Sequence, residues 1–316
     1  MGTKSYSEET TRLHEDINRL KKEKGAVIMA HYYTNPEIQD VADFIGDSLA
    51  LARIAQDVEE NVIVMCGVHF MGETAKILCP DKRVLVPDPE AGCSLADSCK
   101  AEDFEKFIKL HPGHTVISYV NTTADVKALT DIVVTSGNAL KIVNSLPDDE
   151  KIIFGPDRNL GEYINCLTGR NMVLWDGACH VHERFSLEKI LELKRENPDA
   201  EILVHPECRK PIQTVADKVG STAVLLQYAR ESKATRFIVA TESGILHQMR
   251  LQCPEKEFIA APPSDTCGCN ECAYMKLNTL EKLRRCLAEM SPEVEVDATL
   301  AERARRPIVR MLQMSR

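Results

Sequence analysis

The stretch AVIMAHYYTNPEIQDVADFIGDS, residues 26–48, decides the fold. It opens on an apolar run, 26–30, of the length and composition of a buried strand. That run ends on the polar triplet His31-Tyr32-Tyr33 and leads to a small hydroxyl residue, Ser48, where a helical pattern begins. The same order recurs twice. Residues 115–120 run into Tyr119-Val120-Asn121 and then Ser136, and residues 201–204 run into His205-Pro206-Glu207 and then Ser221-Thr222. His31 to Ser48, Tyr119 to Ser136 and His205 to Thr222 are each 17 residues, and 19 residues further a second apolar strand ends at Gly67, Gly155 and Thr241. A helix precedes each unit's first strand, at 102–110 and 186–196 in the later two. A further helix and short strand close each unit, at 72–78 and 84–86, 160–168 and 172–175, and 245–251 and 258–261. Short apolar strands alternating with helices describe parallel βαβ units with helices on both faces. The sequence therefore predicts three small α/β units over 1–98, 99–184 and 185–272, followed by a helical tail over 273–316.

Composition narrows the function. Of 316 residues, 44% are hydrophobic and 28% charged, enough for a sizeable core under an ordinary polar surface. No apolar run approaches the roughly 20 residues that a bilayer requires, and residues 1–25 lack an apolar signal core, so a cytoplasmic protein without a membrane partner is expected. A net charge of −9 without a long basic run argues against a nucleic-acid partner, and any anionic ligand must be held locally. GxGxxG, GxxxxGK and HExxH are absent, which removes dinucleotide, nucleotide and zinc-protease readings.

Twelve cysteines are the unusual number. Secreted disulfide scaffolds are short, so free thiols or metal thiolates fit this long chain better. Each unit ends on cysteine: Cys93, Cys179, and one of Cys267, Cys269 and Cys272, with 86 residues from Cys93 to Cys179 and 93 from Cys179 to Cys272. Three thiolates from three loops are one short of a closed structural zinc site but suit a cluster with one open coordination position. Cys267-Gly-Cys269-Asn-Glu-Cys272 has a second reading as a zinc knuckle or redox pair, and Cys99 competes with Cys93 as ligand. Cys66, Cys79, Cys166, Cys208, Cys253 and Cys286 fall in apolar patterns and are expected in the core. Ligands of parallel sheets sit beyond the carboxyl ends of the strands. If the three units face one centre, those ends gather His31, Tyr33, Tyr119, Asn121, His205, Glu207 and the three cysteines.

The stretches AHYYTNPEIQDVADFIGDSLALAR, CGVHFMGETAKILCPDKRVLVPDPEAGCSLAD, SYVNTTADVKA, SGNA, WDGACHVHERF, VHPEC, VGST and CAYMKLNTL, in this order, strongly resemble the quinolinate synthase family over about residues 10–290. The resemblance implies three homologous α/β units in a triangular, pseudo-threefold arrangement around a central site that holds a 4Fe-4S cluster. It implies a transferase/lyase-type enzyme of de novo NAD biosynthesis that condenses iminoaspartate with dihydroxyacetone phosphate to quinolinate, losing phosphate and two waters. It also raises a transient contact with the enzyme that produces iminoaspartate. The family's cluster cysteines map onto Cys93 in AGCSLAD, Cys179 in GACHVHE and Cys272 in CAYMKLN. Many members carry C-x2-C-x2-C at the last site where this chain has C-x-C-x2-C, which puts a redox-disulfide role for Cys267 and Cys269 in doubt.

Imine formation, tautomerisation and water loss each move a proton, and Glu207 and Tyr33, with His205, are the expected catalytic groups. An open iron would act as Lewis acid. His31, His205 and His182 are expected to donate to carboxylate or phosphate, and Tyr119 and Asn121 to orient the condensing pair. Ser48, Ser136, Ser221 and Thr222 stand where helices begin, so they read both as caps and as anion contacts at helix N-termini. The alternatives are another 4Fe-4S hydro-lyase acting on a small carboxylate, or an iron–sulfur sensor without catalysis.

Overall fold

The computed structural model describes residues 6–264 and 270–316. The strand β1, Ala26–His31, is buried along all six residues, as a strand covered on both faces must be. It lies between β2, Phe44–Gly46, and β3, Val62–Cys66, with β4, Arg83–Leu85, beyond β3, all parallel. The second sheet comprises β5, Thr115–Tyr119, β6, Ile132–Val134, β7, Ile152–Phe154, and β8, Val173–Leu174. The third comprises β9, Glu201–Val204, β10, Lys218–Val219, β11, Arg236–Ala240, and β12, Glu257–Ala260. Their orders are β2-β1-β3-β4, β6-β5-β7-β8 and β10-β9-β11-β12. Three similar four-stranded parallel α/β units are thus present, each with one more strand than the sequence reading drew: the edge strands β2, β6 and β10, only two or three residues long.

Each edge strand is set by the aspartate just before it. Asp43, Asp131 and Asp217 each accept, on one carboxylate oxygen, the N–H of a residue in the central strand: Ile28, Val116 and Ile202, at 2.8, 2.8 and 2.7 Å. Each aspartate N–H in turn donates to the carbonyl of that same residue at 2.9 Å. The carboxylate thereby replaces a ladder partner where the edge strand is too short to supply one, and it does so at the same place in all three units.

A second repeated device closes the strand-end loops. Gln39 Nε2 donates to the carbonyls of Tyr32 and Thr34, both at 2.9 Å, and Gln213 Nε2 to those of Pro206 and Cys208 at 2.8 and 2.6 Å. In the second unit the donor is Lys127, fully buried, whose ammonium bonds the carbonyls of Val120 and Thr122. These are the loops that carry His31 and Tyr33, Tyr119 and Asn121, and His205 and Glu207.

The chain forms two compact units. The first, residues 1–92 and 273–296, buries helices Glu8–Lys24 and Leu280–Glu289 against β1, β3 and β4 through Ile17, Leu20, Leu283 and Leu287. Ser7 caps the first of these helices, and Gly25, at φ 57°, ends it in the left-handed conformation that glycine adopts without strain. The second, residues 93–272 and 297–316, holds the second and third sheets, and its C-terminal helix Ala298–Met314 packs on β6 and the helix Ala124–Lys127. Residues 273–316 are therefore divided between the two. Among the described residues, no helix is long and apolar enough to cross a membrane.

Cys66, Cys79, Cys208, Cys253 and Cys286 are buried as expected, and Cys99 is filler in the second core beside Phe104. Cys166 is exposed, against expectation. The helix Arg158–Thr168 buries Leu160, Gly161 and Ile164, and a residue two beyond Ile164 faces away from that stripe. Cys267 and Cys269 lie outside the described residues.

Two outcomes test this account. Lys127→Gln keeps both carbonyl bonds in the form used at Gln39 and Gln213 and is expected to retain most of the stability. Lys127→Met strands two buried carbonyls at about 1–3 kcal/mol each, and denaturant unfolding separates the two variants. At Gly155 an added Cβ would stand 2.2 Å from Trp175 Cβ and 3.2 Å from its Cα. Since backbone must then move, Gly155→Ala is expected to cost about 1–3 kcal/mol or more, read by the same measurement.

Candidate active site and metal centre

In the doubly wound order 2-1-3-4 the chain reverses direction across the sheet between the first and third strands, and the crevice lies beyond their carboxyl ends. In the second unit of the chain's two, these ends deliver Tyr119 from β5, Asp157 and Asn159 from beyond β7, His205 and Glu207 from beyond β9, and Thr241 and Glu242 from beyond β11. All but Tyr119 are polar or charged in type, and all are buried.

Glu207 is the hub. Tyr119 Oη donates to its Oε1 at 2.6 Å, and His182 Nδ1 stands 3.2 Å from its Oε2. Asn159 Nδ2 donates to the Glu207 carbonyl at 3.0 Å and to Glu183 Oε1 at 2.6 Å. His205 Nδ1 lies 3.6 Å from Oε1, too long for a hydrogen bond, and instead accepts the Glu207 N–H at 3.4 Å. In the neutral ring of His205 the proton therefore belongs on Nε2. The His182 and His205 rings stack at 4.7 Å. Burial pushes the Glu207 carboxyl up, but the two histidines and the Tyr119 hydroxyl outweigh it and hold the pKa down at about 2, so the group is a carboxylate. Burial, and then the Glu207 charge, push the nearby Asp157 well above the usual carboxylate range.

Cys93, Cys179 and Cys272 are half-buried and all belong to this unit. Cys93 immediately precedes the short helix Ser94–Asp97, Cys179 precedes His180–Glu183, and Cys272 precedes Ala273–Lys276 in the chain. The backbone N–H groups of Ala96 and Leu95 beside Cys93, and of His182 beside Cys179, act to favour thiolate. Against them, burial and then the Cys272 charge raise Cys93 to about 12, and burial followed by the Glu207 and Cys93 charges raises Cys179 well above a free thiol. The three sulfurs thus lie within one another's electrostatic reach.

Two buried carboxylates hold the cysteine backbones. Asp157 accepts the N–H of Cys179 at 3.0 Å while capping the helix Arg158–Thr168, and Glu242 accepts those of Cys272 at 3.1 Å and Gly244 at 2.7 Å. His180 Nδ1 and Ser94 Oγ, 2.5 Å apart, tie the residues that follow Cys179 and Cys93. Three thiols within mutual electrostatic reach, two of them also within reach of the Glu207 charge, fit a cationic centre, which would favour their thiolate forms. A second donor set overlaps it: Cys179, His182 and Glu207 bring ligand atoms within 4.8 Å of one another.

The expected residues divide between the chain's two compact units. His31, Tyr33 and Ser48 belong to the first, where the Tyr33 N–H donates to His31 Nδ1 at 3.2 Å and the rings meet edge to face at 4.5 Å. This repeats the Glu207–His205 geometry. Tyr119, Asn121, Ser136, His182, His205, Glu207, Ser221 and Thr222 belong to the second. Of the four hydroxyls, Ser221 is a cap, accepting from Val224 N. Asp47 caps the helix Ser48–Asp57, with Ser48 its first residue; Thr222 is likewise a first residue, and Ser136 precedes the Asn138 cap of Ala139–Asn144. Sequence reasoning missed Asp157, Asn159, Thr241 and Glu242. All four follow a β7- or β11-type strand end, a position as diagnostic as the triplets after β5 and β9.

Comparison with known proteins identifies the family. The family model for quinolinate synthetase A protein matches residues 15–313. The chain is 56% identical over 299 residues to the quinolinate synthase of Microcystis aeruginosa, covering 95% of this chain and 94% of that one. It is 57% identical over 300 residues to that of a Synechococcus strain, with 95% and 94% covered, and 54% identical over 318 residues to that of a Cyanothece strain, with 99% of each covered. With three repeated α/β units, a cysteine closing each, and this likeness along nearly the whole length, the chain belongs to the quinolinate synthase family.

Proposed function

We propose that this chain condenses iminoaspartate with dihydroxyacetone phosphate to quinolinate, releasing phosphate and two waters, as a cytoplasmic enzyme of de novo NAD biosynthesis. One observation carries the reading: a buried Glu207, bonded by Tyr119 and flanked by His182 and His205, stands within electrostatic reach of Cys93 and Cys179. Cys93, Cys179 and Cys272 would hold a 4Fe-4S cluster, which when bound supplies a Lewis-acidic iron with a coordination position that no cysteine fills. Among the described residues no fourth cysteine is assigned to it, since Cys99 and Cys208 are committed to cores, and Cys267 and Cys269 lie outside those residues.

The chain's own groups bind, orient and move protons. Glu207, held ionised, accepts a proton at a carboxylate oxygen, and Tyr119 Oη, donating to Oε1, shares the proton at that oxygen. A carboxylate held at about 2 is a weak base, so its basicity rises only when substrate displaces one of the donors that hold it down and leaves burial to act. His205, whose Nδ1 is engaged by the backbone, offers Nε2–H to a carboxylate or phosphate, and Asn121 orients the partner. Ser221 and Thr222 open a ten-residue helix, Thr222–Glu231, whose unpaired N–H groups suit an anion in a protein of charge −9. His31 and Tyr33 hold in the first sheet the positions of His205 and Glu207 in the third, and on that equivalence they receive donor and acid–base roles, with Ser48 and Ser136 as anion contacts.

Anaerobic assay of quinolinate formation tests the proposal directly; protein that holds iron and sulfide yet forms no quinolinate refutes it. Single Cys93→Ala, Cys179→Ala and Cys272→Ala variants are expected to lose most of the bound iron, whereas Cys269→Ala keeps it. Iron content of anaerobically purified protein decides. Glu207→Gln is expected to lower turnover at least a hundredfold with iron content and melting temperature close to wild type, and unchanged turnover would remove its catalytic role.

A further inference from the structure

We propose that Cys179, His182 and Glu207 form a mononuclear site for a borderline divalent cation of the zinc type, mutually exclusive with the three-cysteine centre because both need the Cys179 sulfur. The thiol, an imidazole nitrogen and a carboxylate oxygen all lie within 4.8 Å of one another. Cys179 and His182 are three residues apart about the short helix His180–Glu183, so one turn brings both to one side, and Glu207 arrives from beyond β9.

His182 carries the argument. Its ring is 2% exposed, its Nε2 lies 3.0 Å from Thr241 Oγ1, and its Nδ1 is buried without a hydrogen-bond partner. That Nδ1 nevertheless stands 3.2 Å from Glu207 Oε2, at hydrogen-bond distance but out of alignment. Two lone-pair atoms each about 2.1 Å from one tetrahedral ion are about 3.4 Å apart. The observed separation is close to that of two ligands of one ion, and the Cys179 sulfur, in a set whose atoms lie within 4.8 Å of one another, would close in on binding. The other half of each ligand is already engaged: Thr241 holds Nε2, and Tyr119 Oη holds Glu207 Oε1. Metal-binding histidines and carboxylates are oriented by such outer contacts. A sulfur, a nitrogen and an oxygen suit a borderline ion, and three protein ligands leave its fourth position open. Cys93 and Cys272 have no part in this set.

Cobalt(II) serves as the optical stand-in for zinc. Metal-free protein titrated anaerobically with Co2+ is expected to develop thiolate-to-cobalt absorption that saturates at a single ion per chain. Cys93→Ala and Cys272→Ala are expected to keep it, Cys179→Ala to lose it, and His182→Gln and Glu207→Gln to weaken binding at least tenfold. Loss of the signal in Cys93→Ala or Cys272→Ala would place the ion among the three thiols, and equal affinity in both His182→Gln and Glu207→Gln would place it elsewhere; either overturns the proposal. Should His182→Gln fail to fold, as the melting curve of the metal-free protein will show, the isosteric Glu207→Gln decides alone. Preloading with Zn2+ is expected to cut iron uptake during reconstitution of the wild type and to do so less in Glu207→Gln. Equal uptake with and without zinc in the wild type overturns the exclusivity. These readouts do not depend on quinolinate formation, so they stand or fall apart from the proposed reaction.

Discussion

A strand that ends on a functional loop leaves backbone carbonyls inside the protein, and each must find a donor. In all three sheets one side chain supplies it, the buried Gln39 or Lys127 or the half-buried Gln213, reaching two carbonyls of the loop at once. With the aspartate clips at Asp43, Asp131 and Asp217, this fixes both the edge strand and the turn that follows the central strand. The carbonyls of the loops that present Tyr119 and Glu207 are thus held by groups outside the chemistry, while His205 Nδ1 accepts the Glu207 N–H. The second unit uses an ammonium where its two sisters use an amide, so the demand is for a donor of the right reach and not for one residue type.

The site built on these loops concentrates acidic groups. Glu207 is held ionised, while burial and the Glu207 charge push Asp157 and the Cys179 thiol toward their protonated forms. Because Asp157 and Glu242 each bind a cysteine N–H, the loops are shaped before any cation arrives. Binding of a cation would then displace the thiol protons, which makes its affinity pH-dependent.

The repeat was legible because its spacing is strict and its central strands are buried on both faces, so the apolar runs at 26–30, 115–120 and 201–204 stand out. The edge strands were not, since Lys218–Val219 has neither length nor periodicity to mark it; its signal is the aspartate at its start, which only the paired backbone explains. Cys179 could be read from position, whereas choosing Cys93 over Cys99 and Cys272 over two neighbours needed the family resemblance. Tyr119 was expected to orient substrate, and its bond to Glu207, 88 residues away, is a tertiary contact that no local pattern encodes. Cys166 was misplaced because its type outweighed its phase on the helix.

Trp175 is the single tryptophan of the chain, and its place has a practical consequence. Its indole N–H donates to the Ser98 carbonyl at 3.0 Å, and its ring meets Phe104 and Phe107 edge to face, four residues before Cys179 and on the segment that follows Cys93. The protein therefore carries one indole fluorophore fixed between two thiol-bearing loops. Its emission is a label-free gauge of those loops, free of background from any other indole, and iron absorbing in the same spectral region would quench it.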